Sequence, residues 1–97
     1  MKTIFLKAAQ LEFDKAVDYY AEHASTKLAE AFIDAVQAAR QRLTEYPDSG
    51  APVSRNVRVL HLQRFPYSVV YRLGQDAIIL LAIAHQRRRP LYWHGRR

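Results

Sequence analysis

The spacing of hydrophobic positions changes along this chain, and each change marks an element. Thr3-Ile4-Phe5-Leu6 is a short apolar-alternating piece that reads as a first strand. From Ala8 the period becomes helical. Ala9, Phe13, Ala16, Val17, Tyr20 and Ala24 recur on one face, with Glu12, Asp14, Lys15, Asp18 and Glu22 between them. This predicts an amphipathic helix of about four turns. Ser25 is placed to cap a second helix, because its hydroxyl can accept a first-turn N–H that has no partner within the helix. Leu28, Phe32, Ala35, Val36, Ala39, Leu43 and Tyr46 form the second apolar stripe. So short a link between the stripes implies an antiparallel helical hairpin.

Pro47-Asp48-Ser49-Gly50-Ala51-Pro52 ends the hairpin, since proline cannot continue a helix and Asp, Ser and Gly favour turns. The pattern beyond it is β. Val57 to Leu62 mixes apolar and β-branched residues with Arg58 and His61, and Phe65-Pro66 breaks the run. Tyr67 to Leu73, rich in Val and Tyr, reads as the next strand, closed by a Gly74-Gln75-Asp76 turn. Ala77 to Ala84 contains no polar residue, which predicts a central strand covered on both faces. A short buried helix would show the same lack of periodicity, but the preceding strand and turn favour a hairpin. The predicted order is β-α-α-β-β-β. It implies a single α+β domain over residues 1–97, with an antiparallel sheet packed against the N-terminal α-helical hairpin.

Composition narrows the function classes. Without cysteine there is no disulfide framework and no thiolate zinc site. Met1 to Gln10 is too short and too broken for a signal-peptide core, and no apolar run approaches a membrane span, so a cytoplasmic protein is expected. The net charge of +6 is unevenly distributed. Residues 1–49 carry six basic and eight acidic side chains; residues 50–97 carry nine arginines, no lysine and one acid, Asp76. Such asymmetry points to a face that meets something acidic, either nucleic acid or an acidic protein. The choice of arginine sharpens this, because its planar fork suits carboxylate or phosphate contacts better than a point charge does.

The isolated glycines make no phosphate loop, no histidine pair has metal spacing with a third ligand near, and no strained serine elbow is visible. No metal or cofactor is expected. His23 ends the first helix and suits its negative end. His61, His85 and His94 lie in the basic half, where a neutral imidazole at a strand end could act as a general base. For His85 a structural, hydrogen-bonded role is the favoured assignment. Arg87-Arg88-Arg89, if extended, would alternate in direction and send one or two guanidinium groups to one side. Tyr92 and Trp93 argue against a solvated tail; they should pin this segment to the fold or stack on a partner.

Several of these residues together carry a family resemblance. They are Tyr46-Pro47-Asp48-Ser49-Gly50 after the hairpin, Arg58 in the second strand, and Phe65-Pro66-Tyr67 leading into Val69-Val70-Tyr71-Arg72. Ala84-His85-Gln86-Arg87-Arg88-Arg89-Pro90 then runs on to Tyr92-Trp93. Order and spacing resemble the RelE/ParE toxins over essentially the whole chain. The resemblance implies the toxin of a type II toxin–antitoxin pair. A cognate antitoxin would hold it inactive in a hetero-oligomer, its disordered acidic segment folding over the basic groove.

RelE-like members cleave mRNA in the ribosome; ParE-like members poison DNA gyrase. The resemblance places RelE-like lysines near Val59 and His61 of this chain, and an arginine at Ser68. Arg87 matches the arginine near the carboxyl end, and Tyr92 roughly matches the terminal tyrosine. Valine cannot stabilise a pentavalent phosphate, and each lost donor costs about 3 kcal/mol of transition-state stabilisation. The chain therefore reads as closer to ParE-like members, an interaction toxin rather than an enzyme. Arg58, Arg87, Arg88, Arg89, Tyr92 and Trp93 are its expected contacts with target and antitoxin. The alternative is a metal-independent, ribosome-dependent mRNA endoribonuclease, with His61 or His85 as base, Arg72 and Arg87 on the phosphate, and Tyr92 beside them.

Overall fold

A computed structural model describes residues 1–97. Its elements are β1 (Lys2–Phe5), α1 (Lys7–His23), α2 (Thr26–Glu45), β2 (Ala51–Pro52), β3 (Val57–His61), β4 (Tyr67–Leu73) and β5 (Ala77–His85). The expected α+β order holds, with one addition, the two-residue strand β2. Ser25 caps α2 as expected, its Oγ accepting the Leu28 N–H at 3.0 Å.

The five strands form one sheet in the order β1-β5-β4-β3-β2. Three pairings are antiparallel, as expected; β1 lies parallel to β5, from Lys2 opposite Ala77 to Phe5 opposite Leu80. The sheet is therefore mixed. A parallel neighbour needs a long crossover connection, and the helical hairpin begins that connection.

β5 is an interior strand, between β1 and β4, and is covered on both faces. Ile78, Leu80 and Ile83 face the helices, together with Val69 and Tyr71 of β4. Leu81, Ala82 and Ala84 face the other way with Val70. The alternation slips at Leu81, where the ladder jumps from Tyr71 opposite Leu80 to Val70 opposite Ala82. This bulge lets an unbroken apolar run serve two cores.

On the helix side, Phe13 and Tyr20 of α1 meet Phe32 of α2, and Phe65 and Tyr67 complete the aromatic cluster, with centroids 5.1 to 5.9 Å apart. Each fully buried large side chain here contributes about 1.5–3 kcal/mol. The Pro47–Gly50 turn wraps a single hydroxyl. Tyr71, fully buried, donates to the Pro47 carbonyl at 2.8 Å and accepts the Gly50 N–H at 2.9 Å. A Cβ on Gly50 would lie 2.7 Å from that hydroxyl, so only glycine lets the turn close over it.

The second face is covered by residues 86–97, which fold as successive turns. The arginine run is not extended. The Arg88 N–H donates to the His85 carbonyl at 3.0 Å, which turns the chain back over the sheet. Leu91 (φ 60°) and Gly95 (φ 90°) take left-handed conformations that keep the path tight. The result buries Trp93 against Val70, Leu81, Ala82 and Ala84.

Candidate docking surface

One carboxylate ties the basic carboxyl segment down. β1 stops at Phe5, so beyond Leu80 the edge of β5 has no strand beside it. Glu12 of α1 reaches that edge. Its Oε1 accepts the Ile83 N–H at 3.1 Å and Arg96 Nη1 at 2.8 Å. Its Oε2 accepts Arg96 Nη2 at 3.1 Å and the Tyr92 hydroxyl at 2.7 Å. Arg96 Nη1 also donates to the Leu81 carbonyl at 3.0 Å. A bidentate ion pair thus substitutes for the missing strand, and such fork-to-fork pairs are directional as well as strong. Burial, then the Glu12 hydrogen bond and charge, push the Tyr92 phenol well above its ordinary range. It is a fixed donor.

Arg88 stacks on the Tyr92 ring, its guanidinium carbon 3.9 Å from the centroid. Arg88 and Arg89 flank a groove of about 320 Å³ with Val59, His61, Ser68 and Val70 along the strands. Arg87, Arg88 and Arg89 are exposed. Trp93, by contrast, is only 7% exposed and so anchors the surface from beneath. Arg58 is also committed inward: its Nη1 donates to the Gly50 carbonyl at 2.7 Å and the Asp48 carbonyl at 3.1 Å, pinning the Pro47–Gly50 turn. Of the expected contact set, Arg88, Arg89, Tyr92 and Trp93 border one groove and Arg87 is exposed. Arg58 and Trp93 also make contacts within the fold.

Of the residues named for a nuclease, His61, His85 and Tyr92 border the same groove as Arg88 and Arg89, while Arg72 and Arg87 do not. Directly opposed residues in a ladder share a face. His85 opposes Tyr67, on the helix side, while His61 opposes Ser68, which opposes Ala84 on the other side. The ladder alternation starts the two histidines from opposite faces of the sheet, although both border the groove at the strand ends. His85 Nδ1 accepts the Arg87 N–H at 3.0 Å, the hydrogen-bonded structural role favoured for it. His61 Nδ1 is hydrogen-bonded to the buried Ser68 hydroxyl. Arg72 sits four positions along β4 from Ser68, about 13 Å at strand rise. Tyr92 is held by Glu12. No group of three His, Asp or Glu side chains gathers to hold a metal ion.

A larger feature escaped the sequence reading. A groove of about 720 Å³ runs between α2 and the β3–β4 side of the sheet. Its apolar lining includes Ala31, Ala35, Ala38, Leu60 and Phe65, and Arg42 and Arg64 are among its charged residues. The signal was the run of alanines at helical spacing beside the main stripe of α2, small side chains that leave the groove unfilled.

Comparison with known proteins agrees with this architecture. A family model described as the ParE toxin of type II toxin-antitoxin system, parDE, matches residues 3–90. Proteins named Toxin ParE2 from two strains of Mycobacterium tuberculosis are each 32% identical over 76 residues, covering 78% of this chain and 72% of theirs. The solved structure titled "Chromosomal ParDE TA system from P. aeruginosa" shares the fold, with a TM-score of 0.76 at 23% identity, over 88% of this chain and 95% of that one. The chain belongs to the ParE toxin family of type II toxin–antitoxin systems.

Proposed function

We propose that residues 1–97 act as one toxin domain that inhibits DNA gyrase when free and is neutralised by a cognate antitoxin. The observation that carries this reading is the ordered cationic face. Of the nine arginines in residues 50–97, only Arg96 has a carboxylate within 4.0 Å. The others are left to meet an acidic partner, and Arg88 and Arg89 are presented beside a groove on a rigid sheet. An acidic antitoxin segment that folds on binding suits this face. The alanine-lined groove on α2 suits an apolar helix face of the same chain. Gyrase acts in the cytoplasm, and no helix here is long and apolar enough to cross a membrane.

One observation favours the second reading, an mRNA endoribonuclease: His61, Ser68, His85 and Tyr92 share the groove with Arg88 and Arg89. Against it stand the position of Arg72 and Arg87 outside that groove and the engaged His85 and Tyr92. Brief expression without antitoxin separates the two. Chromosome breaks and an SOS response with intact messages are expected. Codon-positioned mRNA cuts with intact chromosomes would overturn the gyrase reading.

A further inference from the structure

We infer that a cleft flanked by Arg55 and Arg72 is a second anion site, which takes an aspartate or glutamate side chain of the antitoxin. The inference rests on the antitoxin reading above and adds a site that the carboxyl segment does not form.

The cleft measures about 230 Å³ and lies where β3 begins and β4 ends, lined by Pro52, Ser54, Arg55, Asn56, Arg72 and Leu73 among others. Neither Arg55 nor Arg72 has a carboxylate within 4.0 Å; the only ion pair in the chain is Arg96 with Glu12. Asp76, the single acid of residues 50–97, pairs with neither. Arg58, on the same lining, is in a different state, because its Nη1 is already taken by the Asp48 and Gly50 carbonyls. It stiffens the wall and leaves the two free forks to bind. The Ser54 hydroxyl and Asn56 amide add neutral donors. Their loop is held in place, since Val53 and Ser54 both donate N–H bonds to the Val57 carbonyl, at 2.9 and 3.3 Å. Two arginine forks with neutral donors between them suit a carboxylate.

The surroundings favour a polypeptide over a phosphodiester chain. Leu73 in the lining is 46% exposed, and Val53 in the neighbouring loop is 45% exposed. Apolar side chains flanking the acid would cover them; a sugar-phosphate backbone has little to place there. The ladder also sets a spacing. Arg72 opposes Val57 at one end of β3 and Ser68 opposes His61 at the other, about 13 Å away. Arg88 and Arg89 flank the His61 end. An extended partner that engages both ends therefore carries acids about four residues apart.

The test is calorimetric titration of the purified chain with its cognate antitoxin at low and physiological ionic strength. The variants are Arg72→Lys, Arg72→Ala and Arg55→Ala/Arg72→Ala. The double variant should bind at least about tenfold more weakly, with a shallower salt dependence and an unchanged melting temperature. Arg72→Lys should fall between, because it keeps the charge and loses the fork. Binding by the double variant within about twofold of wild type sinks the site while leaving the antitoxin reading intact. A wild-type chain that binds no antitoxin sinks both. If the double variant loses affinity for a duplex DNA oligonucleotide and keeps it for antitoxin, the cleft is a phosphate site and the inference is wrong.

Discussion

Replacing Glu12 tests how the basic segment is held. In Glu12→Ala the Ile83 N–H loses its 3.1 Å acceptor at an edge with no neighbouring strand, and an unpaired buried donor costs about 1–3 kcal/mol. Arg96 loses both of its carboxylate contacts, at 2.8 and 3.1 Å. Removing one partner of a buried pair costs about 3–5 kcal/mol, but the Arg96 and Glu12 side chains keep 24% and 16% of their exposure, so water recovers part of that. Tyr92 also loses its acceptor at 2.7 Å. Together these place the loss at about 2–4 kcal/mol. Glu12→Gln keeps one acceptor oxygen for Ile83 and loses the charge, so about half that loss is expected. Urea unfolding followed by circular dichroism gives the values, with an unchanged slope as the check that the unfolded states are alike. Amide exchange at Ile83 reads the site itself and should accelerate in the alanine variant. If Glu12→Ala unfolds within about 0.5 kcal/mol of wild type and Ile83 stays protected, the carboxylate is not the tie.

Three further outcomes follow from single contacts. Tyr71→Phe leaves the Gly50 N–H and the Pro47 carbonyl without their partner, at about 2–4 kcal/mol, which a thermal melt should show as a drop of about 10–20 °C. Because burial and Glu12 raise the Tyr92 phenol above its ordinary 10.0, the neutral form belongs to the fold. Its contribution is complete below that value and is lost as pH climbs beyond it, so the urea midpoint of wild type should fall above pH 10 more steeply than that of Tyr92→Phe. Arg88→Glu/Arg89→Glu alters exposed groove residues; it should abolish inhibition in a gyrase supercoiling assay while the melting temperature moves by only a few degrees.

The strands and helices were legible because each has its own period. Ala77 to Ala84 announced a strand covered twice, and the structure supplies the helices on one side and Trp93 on the other. The parallel partnership of β1 was not legible. Four residues specify a strand, not which edge it joins after a 71-residue interval. The two residues of β2 are hidden in a stretch, Pro47 to Pro52, whose prolines, Asp, Ser and Gly signal only a helix end and a turn. Nothing local in the arginine run says whether it is extended, because what bends it is distant: Tyr92 and Trp93 can reach their seats only if the chain reverses at His85. Glu12 was the largest omission. It sits among the polar residues of an amphipathic helix, where a carboxylate ordinarily faces water. Its partners lie at positions 83, 92 and 96, and no local pattern points to them.

Trp93 is the chain's only tryptophan, so its fluorescence reports on the basic segment alone. The direct measurement is acrylamide quenching of the native protein, acrylamide being uncharged and indifferent to the arginines around it. A seated indole gives a blue-shifted emission and shallow quenching that steepens only as urea unfolds the sheet. Emission and quenching like those of free tryptophan in native buffer would mean that residues 86–97 lie loose in water, and the docking surface would not exist.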